Sequence, residues 1–125
     1  MKFLKSDTYY FQVYRDKLIV RQIDEQKTIE KVPEKPFSGR RSVLADFLQL
    51  ETTMRAVLKE LQPKRMLCGA PQIVMHVREE NFSDISDVER RTLLDSAQHA
   101  GAYIVKVFEG DRELTDRQVM ELIND

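Results

Sequence analysis

The first third of the chain groups its apolar residues in the manner of β-strands. Residues 9–14 and 18–23 are rich in aromatic and β-branched side chains, and residues 27–32 alternate between polar and apolar. Only a short polar break, from Arg15 to Lys17, separates the first two runs. We therefore expect an antiparallel hairpin followed by a third strand, with a further short strand at 2–4.

Beyond a linker, the apolar positions change to the spacing of a helix. The linker, residues 33–41, contains two of the four prolines in the chain. After it, apolar residues recur at steps of three and four, which predicts an amphipathic helix over 42–62. Pro63 follows at once, and a proline in this position is typical of a helix end.

The second half of the chain predicts two buried strands on either side of a second helix. Residues 72–78 and 102–108 are apolar and rich in β-branched side chains, as expected inside a sheet. Between them, residues 83–87 offer several N-cap side chains for a helix. Gly101 provides a left-handed end for that helix.

A third helix completes an order of strands first and then α-β-α-β-α. The capping-box spacing of Thr115 and Gln118 begins this helix, which we expect to end near Asn124. A hairpin followed by crossover helices predicts a mixed sheet whose later strands run parallel to the first. This is the α/β arrangement of ribonuclease H-like folds. Ferredoxin-like and flavodoxin-like sheets are the main alternatives.

Composition narrows the class of protein. The chain has 125 residues, 42% of them hydrophobic and 33% charged, which predicts one domain over 1–125. Lys plus Arg is 20 and Asp plus Glu is 21, a balance that argues against broad binding of nucleic acid or anionic lipid. No apolar run reaches the roughly 18 to 20 residues of a membrane span. The opening MKFLKSD is too short and too charged for a secretory signal.

The numbers of cysteines and histidines narrow the class of protein further. One cysteine excludes an internal disulfide framework, and two histidines exclude the dense Cys/His metal motifs. We therefore expect a cytoplasmic protein. We assign structural roles to Cys68 in a loop, His76 within a strand and His99 at a helix end.

Two motifs resemble those of one family. The run S-V-L-A-D-F at 42–47 is similar to the G-V-I-A-D-F that opens a helix in MreB-type bacterial actins, the rod shape-determining proteins. V-E-R-R at 88–91, followed by S-A-Q-H-A-G-A at 96–102, resembles the family's V-E-R-R and S-A-x-x-A-G-A motifs at the same spacing. The strand at 73–77 stands where the family has an apolar strand, and the hairpin at 9–23 resembles the family's second and third strands more loosely.

The resemblance spans most of this chain and the first third of a complete bacterial actin. It implies half of an actin-like ATPase fold, which is ribonuclease H-like. It also implies a place in the bacterial cell-shape cytoskeleton.

The chain departs from the family where the nucleotide is held. Bacterial actins wrap the nucleotide phosphates with a glycine-containing D-L-G-T-x-x-T loop. The corresponding stretch of this chain is 5–8. It contains no glycine, since the first glycine of the chain is Gly39. Asp7 and Thr8 therefore mark a degenerate phosphate-loop position. The family's E-E-P becomes Glu109-Gly110-Asp111, and nothing in the sequence supplies a second, opposing lobe. We expect no ATP hydrolysis and no bound cofactor.

The resulting expectation is a non-catalytic MreB-like half-domain that acts as a protein-binding or assembly module. It would self-associate or dock on an actin-like filament or cell-shape component, with no nucleic acid, nucleotide or membrane span. Tyr10, Gln12 and Tyr14 share one face of the first strand. This tyrosine face is either packed under a helix or exposed as a contact surface. The charged helix residues are either a contact surface or a solvated face with pairs such as Arg91 with Asp95. The candidate surface residues are Tyr10, Tyr14, Arg40, Arg41, Glu89, Arg90 and Arg91.

Two alternatives belong to other classes. The first is a ribonuclease H-like metal-dependent phosphodiesterase, in which Asp7, Glu51, Glu79 and Glu80 would hold the metal ions. The absence of a basic surface in the sequence argues against it. The second is nucleotide binding without hydrolysis, completed by a second chain.

Overall fold

Five strands and three helices make up the described part of the protein. The computed structural model describes residues 7–36, 38, 46–61, 69–78 and 85–125. In chain order the elements are β1 (Thr8–Tyr14), β2 (Lys17–Gln22), β3 (Lys27–Lys31), α1 (Phe47–Leu61), β4 (Gln72–Val77), α2 (Asp87–His99), β5 (Ile104–Phe108) and α3 (Asp116–Ile123).

The strands form one mixed sheet in the order β3-β2-β1-β4-β5. β2 runs antiparallel to both β1 and β3, whereas β4 runs parallel to both β1 and β5. The prediction of antiparallel strands first, with later strands parallel to the first, is confirmed. A flavodoxin-like sheet is wholly parallel and a ferredoxin-like unit begins β-α-β, so neither alternative fits this order.

The first hairpin closes through a turn of only two residues. Tyr14 pairs with Lys17 across it, so Arg15 and Asp16 alone form the turn. Asp16 has a φ of 50°, a left-handed conformation that aspartate tolerates better than most residues. Its backbone N–H donates to Ser38 Oγ at 2.9 Å, and its carboxylate accepts from the Ser38 N–H at 2.7 Å.

The two faces of the sheet carry separate apolar cores, because neighbouring residues of a strand point to opposite faces. The larger core joins the sheet to α1 and α2, and the smaller core joins it to α3. Buried members of the larger core include Phe11, Val20, Leu50, Met54, Met75 and Leu93. Buried members of the smaller core are Tyr10, Ile23, Val74, Leu114, Val119 and Ile123.

Two helices begin with the capping boxes that their sequences suggest. Ser86 caps α2, where its hydroxyl accepts from the Glu89 N–H and the Glu89 carboxylate accepts from the Ser86 N–H. Thr115 and Gln118 form the same reciprocal pair at α3. Gly101, with a φ of 111°, follows the C-cap of α2, so the predicted helix ends are confirmed.

The predicted start of the first helix is wrong. The Asp46 carboxylate accepts from the Gln49 N–H at 3.0 Å, so Asp46 is an N-cap and α1 begins at Phe47. The periodic apolar residues at 43 and 44 had extended the prediction beyond this cap. Residues 42–45, residue 62 and the strand predicted at 2–4 lie outside the described residues.

The predictions for the two outer strands have different outcomes. The third strand predicted at 27–32 is confirmed as β3, an edge strand whose lysines and glutamate protect it against pairing with another chain. The strand predicted to be buried at 102–108 is only half-buried over Ile104–Phe108, because β5 forms the other edge of the sheet.

Two leucines of α1 test whether the larger core stabilises the fold. Leu50 is fully buried, and we expect Leu50→Ala to lower the free energy of unfolding by about 2–5 kcal/mol, since it removes core contacts and leaves a cavity. Leu48 is 61% exposed, so Leu48→Ala should change it by less than about 0.5 kcal/mol. Urea unfolding followed by circular dichroism measures both variants. Equal effects would contradict this assignment of the core.

Candidate functional site

A buried polar cluster lies between the sheet and the C-terminal residues, on the face that α3 covers. Tyr10 on β1 and His76 on β4 are both fully buried there. Tyr10 Oη lies 2.6 Å from His76 Nδ1, and His76 Nε2 lies 2.7 Å from the Gly110 carbonyl oxygen. The Leu114 N–H donates to Tyr10 Oη at 3.0 Å. We call Tyr10, His76, Gly110 and Leu114 the Tyr10–His76 cluster.

The geometry fixes the protonation of this cluster. A carbonyl oxygen only accepts, so His76 donates from Nε2 to Gly110. Neutral His76 then accepts at Nδ1 from the Tyr10 hydroxyl, which in turn accepts from Leu114. Burial is the largest cause that lowers the pKa of His76 and the largest that raises the pKa of Tyr10. Both side chains are therefore neutral near pH 7.

Gly110 comes close enough to accept this bond because it has no side chain. A Cβ atom at this position would lie 2.8 Å from the Phe108 ring, which is closer than carbon atoms normally approach. The Phe108 ring in turn packs edge-on against His76, with 4.8 Å between ring centroids. The loop between β5 and α3 therefore packs closely against His76.

Arg21 on β2 holds the same segment from the other side. Its Nη1 lies 2.8 Å from Glu113 Oε2, and its Nε lies 2.7 Å from Asp116 Oδ1. Its Nη2 donates to the Leu114 carbonyl at 2.6 Å, and its guanidinium lies 5.0 Å from the centre of the Tyr10 ring. One mostly buried guanidinium thereby fixes the loop before α3 and the first turn of the helix.

The Tyr10–His76 cluster joins the sheet to the loop before α3. Both ring nitrogens of His76 are already engaged, and its side chain has no exposed surface. A general base needs access to the proton it removes. The structural role predicted for His76 is confirmed.

The prediction of an exposed tyrosine face is wrong for Tyr10. Tyr10 packs under α3 in the smaller core, which was the other reading of this face. Tyr14, two residues further on the same face, is half-buried at the end of β1. Its hydroxyl accepts from Arg78 Nε at 3.4 Å, and Lys17 Nζ lies 5.0 Å from the centre of its ring. The two tyrosines therefore do not form one contact surface.

The degenerate phosphate-loop residues form part of the sheet. Asp7 and Thr8 are 2% and 1% exposed. The Asp7 carbonyl accepts from Gln72 N–H at 2.9 Å, and the Thr8 N–H donates to Asp24 Oδ2 at 2.7 Å. The described strands β1 and β2 are joined by the Arg15–Asp16 turn, at the opposite end of β1. Residues 5 and 6, where the predicted phosphate-loop stretch begins, lie outside the described part.

Two of the three charged residues at the start of α2 have structural contacts. Glu89 serves the capping box, and Arg90 forms an ion pair with Glu109 beyond β5. The hydrogen bond from Arg90 is the main cause that lowers the pKa of Glu109. Arg91 lies 3.6 Å from Asp95 in an exposed i,i+4 pair, as expected for a solvated helix face.

The carboxylates proposed for a metal site have other partners where they are described. Glu51 Oε2 accepts from Arg55 Nε at 3.1 Å, and Glu51 Oε1 lies 3.3 Å from His99 Nδ1. Within the described ranges, no group of three or more His, Cys, Asp or Glu side chains could hold a metal ion. Outside those ranges lie Arg40, Arg41, Cys68, Glu79 and Glu80.

Arg21 and the loop at 109–115 are the main site features that the sequence analysis missed. The available signal was a single arginine inside the apolar run 18–23, where a charge needs a partner. Its hydrogen-bond partners Glu113 and Leu114 are 92 and 93 residues away in the chain, and its ion-pair partner Asp116 lies beyond them, so no local pattern contains these contacts.

The comparisons with protein families and with curated proteins add no relative, so the functional argument rests on the geometry described above. No protein-family model matches the chain, and no curated protein matches it significantly. Among the helices that are described, none has the length and apolar character needed to cross a membrane.

The Tyr10 hydroxyl is the group whose removal tests the cluster. We expect Tyr10→Phe to lower the free energy of unfolding by about 1–3 kcal/mol, because it leaves the Leu114 N–H and His76 Nδ1 buried without partners. Tyr14→Phe is the matched control and should cost less than about 0.5 kcal/mol, since its hydroxyl makes only a long bond at a half-buried position. Chemical denaturation measures both, and an equal loss in the control would refute the assignment.

Proposed function

We propose that this protein is a non-catalytic MreB-like half-domain that acts as a protein-binding or assembly module of the bacterial cell-shape cytoskeleton. The motifs at 88–91 and 96–102 support this proposal, since they resemble those of MreB-type actins at the same spacing. The strand order also supports it, because an antiparallel hairpin followed by parallel crossover strands is the arrangement of ribonuclease H-like folds, to which actin-like halves belong.

The observation that carries the non-catalytic part is the β1–β2 turn. The family resemblance implies a glycine-containing phosphate loop between the first two strands. The sequence motifs put that loop at 5–8, but the order β3-β2-β1-β4-β5 favours β1 and β2 as the first two strands of a ribonuclease H-like sheet, which would put the loop at their turn. The turn here has two residues, and the Asp16 N–H, which could otherwise face an anion, donates to Ser38. The Asp16 carboxylate also places a negative charge beside any phosphate at this turn. Such a turn favours a fold that has lost nucleotide chemistry.

The contact surface that we propose is on α2. Val88 is 76% exposed although it is apolar, and Arg91 lies one turn further on the same side of the helix. Glu89 and Arg90 are engaged in the cap and with Glu109, so they contribute less to this surface. An exposed apolar side chain beside an arginine is a combination that protein interfaces favour.

Nucleotide binding is tested by thermal unfolding with Mg-ATP. We expect no change in Tm at millimolar Mg-ATP, because the Asp16 N–H of the β1–β2 turn already donates to Ser38 and the Asp16 carboxylate would repel phosphate there. A ligand at 100 times its Kd would add about 2.7 kcal/mol of stability, and the Tm would rise by several degrees. A rise of that size would contradict the non-catalytic proposal and favour nucleotide binding completed by a second chain.

The α2 surface is tested by light scattering across a range of concentrations and by co-pelleting with MreB-type filaments. We expect the wild type to self-associate or to pellet with the filaments, and Arg91→Glu to weaken whichever of the two occurs. Arg117→Glu is the matched control, because Arg117 is also exposed and pairs with a carboxylate at i+4 on another helix.

Two results would refute this surface. A wild type that stays monomeric and remains in the supernatant would exclude the assembly module. Equal loss of association in both variants would instead indicate a general charge effect, not contact through α2.

A further inference from the structure

The C-terminal residues 109–125 are the part of the described protein that covers the His76 side of the sheet. We call this segment the clasp; it consists of α3 and the loop before it. Its first five residues are all exposed, and its buried apolar residues are Leu114, Val119 and Ile123. The larger core of the protein contains no residue of the clasp. The clasp can therefore separate from the sheet while the rest of the fold remains packed.

Two of the polar contacts that hold the clasp depend on one neutral histidine, while Arg21 holds the clasp independently of it. His76 donates to the clasp carbonyl of Gly110, and Tyr10 connects His76 to the Leu114 N–H. This chain of bonds requires His76 Nδ1 to accept a hydrogen bond. A proton on Nδ1 would turn that acceptor into a donor, and the Tyr10 hydroxyl hydrogen would then lose its acceptor.

The charges around His76 do not offer it a direct partner in the charged form. From β4, Arg78 approaches with its own positive charge, and from β2, Arg21 lies over the Tyr10 ring. The clasp contributes the carboxylates of Asp111 and Glu113, and Glu113 is paired with Arg21. Neither carboxylate bonds to the imidazole, whose two nitrogens face Tyr10 and Gly110. Separation of the clasp would expose the imidazole to water, where its charged form is stable.

We propose that the clasp is a pH-sensitive element, held closed by neutral His76 and released from the sheet when His76 takes up a proton from solvent. The proton goes to Nδ1, and the bond from Tyr10 breaks. Release leaves the sheet and the larger core intact and uncovers the apolar face that includes Tyr10 and Val74.

The direction with pH follows from the lowered pKa of His76 in the closed form. The open form has His76 in water with an ordinary pKa of about 6.5, so it binds more protons than the closed form. The closed form is therefore favoured above this value and loses stability as the pH falls below it. Between pH 7.5 and pH 5.5 the opening equilibrium should rise, by at most about tenfold, a limit reached when the closed form takes up no proton in this range.

Amide hydrogen exchange at these two pH values tests the proposal, after correction for the intrinsic exchange rate. We expect protection of the Leu114 amide and of the α3 amides to fall at the lower pH, by at most about tenfold, while the β1 and β4 amides keep theirs. His76→Gln is the key variant, because an amide can donate to Gly110 and accept from Tyr10 without titrating. Its clasp should stay equally protected at both pH values.

The chain offers a matched control in its other histidine. His99→Gln removes a histidine at the far end of α2 and should leave the response of the clasp unchanged. The clasp carboxylates are present in every variant, so a fall of the same size in His76→Gln would assign the response to them and refute the proposal. A fall spread over all strands would show global unfolding and refute it as well.

A measurement on the wild type keeps the proposal testable if His76→Gln does not fold. The 15N shifts of the His76 ring report its tautomer, and we expect hydrogen on Nε2 alone at pH 7.5. A charged or Nδ1-protonated ring at that pH, with the clasp still protected, would overturn the inference.

Discussion

The burial of β1 on both faces is the constraint on which the other contacts depend. β1 pairs with β2 on one side and with β4 on the other, and six of its seven residues are buried. A polar side chain in such a strand costs free energy unless it finds a partner. Tyr10 finds His76 and Leu114, whereas Gln12 Oε1 has no hydrogen-bond partner among the described residues. The sheet thus forces a specific polar network at Tyr10.

The unequal covering of the two sheet faces follows from the order of the elements. α1 and α2 both lie on one face and bury the larger core, while the other face is covered by an eight-residue helix and its preceding loop. A helix of this length is not stable alone in water. Its position therefore depends on contacts with the sheet, of which the ion pairs of Arg21 and the bonds of His76 are the most directional. This is why protonation in the cluster would act on the clasp before it acts on the sheet.

The hydrogen bonds that hold the described elements together also bear on the proposed function. The backbone donor in the β1–β2 turn is used by Ser38, and the nitrogens of the buried histidine are used by Tyr10 and Gly110. These donors and acceptors hold the described elements together. On α2, Val88 and Arg91 are exposed, and they carry the contact surface that we propose.

Local chemistry was enough for much of the fold. The aromatic and β-branched runs of the hairpin, the N-cap candidates at 83–87, the capping box at Thr115 and the left-handed Gly101 act within a few residues. The elements they specify were therefore predicted nearly to their ends. The predicted start of α1 failed at Asp46. The spacing of apolar residues extends past this residue and does not reveal which side chain caps the helix.

The candidate site depended on contacts that no local pattern contains. The bond between Tyr10 and His76 joins residues 66 positions apart, and the bond between Leu114 and Tyr10 joins residues 104 positions apart. The sequence by itself determined which of the described strands and helices form and most of the residues that end them, the start of α1 excepted. Only the tertiary structure decided that Tyr10 is buried, that His76 carries its hydrogen on Nε2 and that Arg21 holds the clasp. Those outcomes depend on which strands become neighbours and on how much water the packed elements exclude.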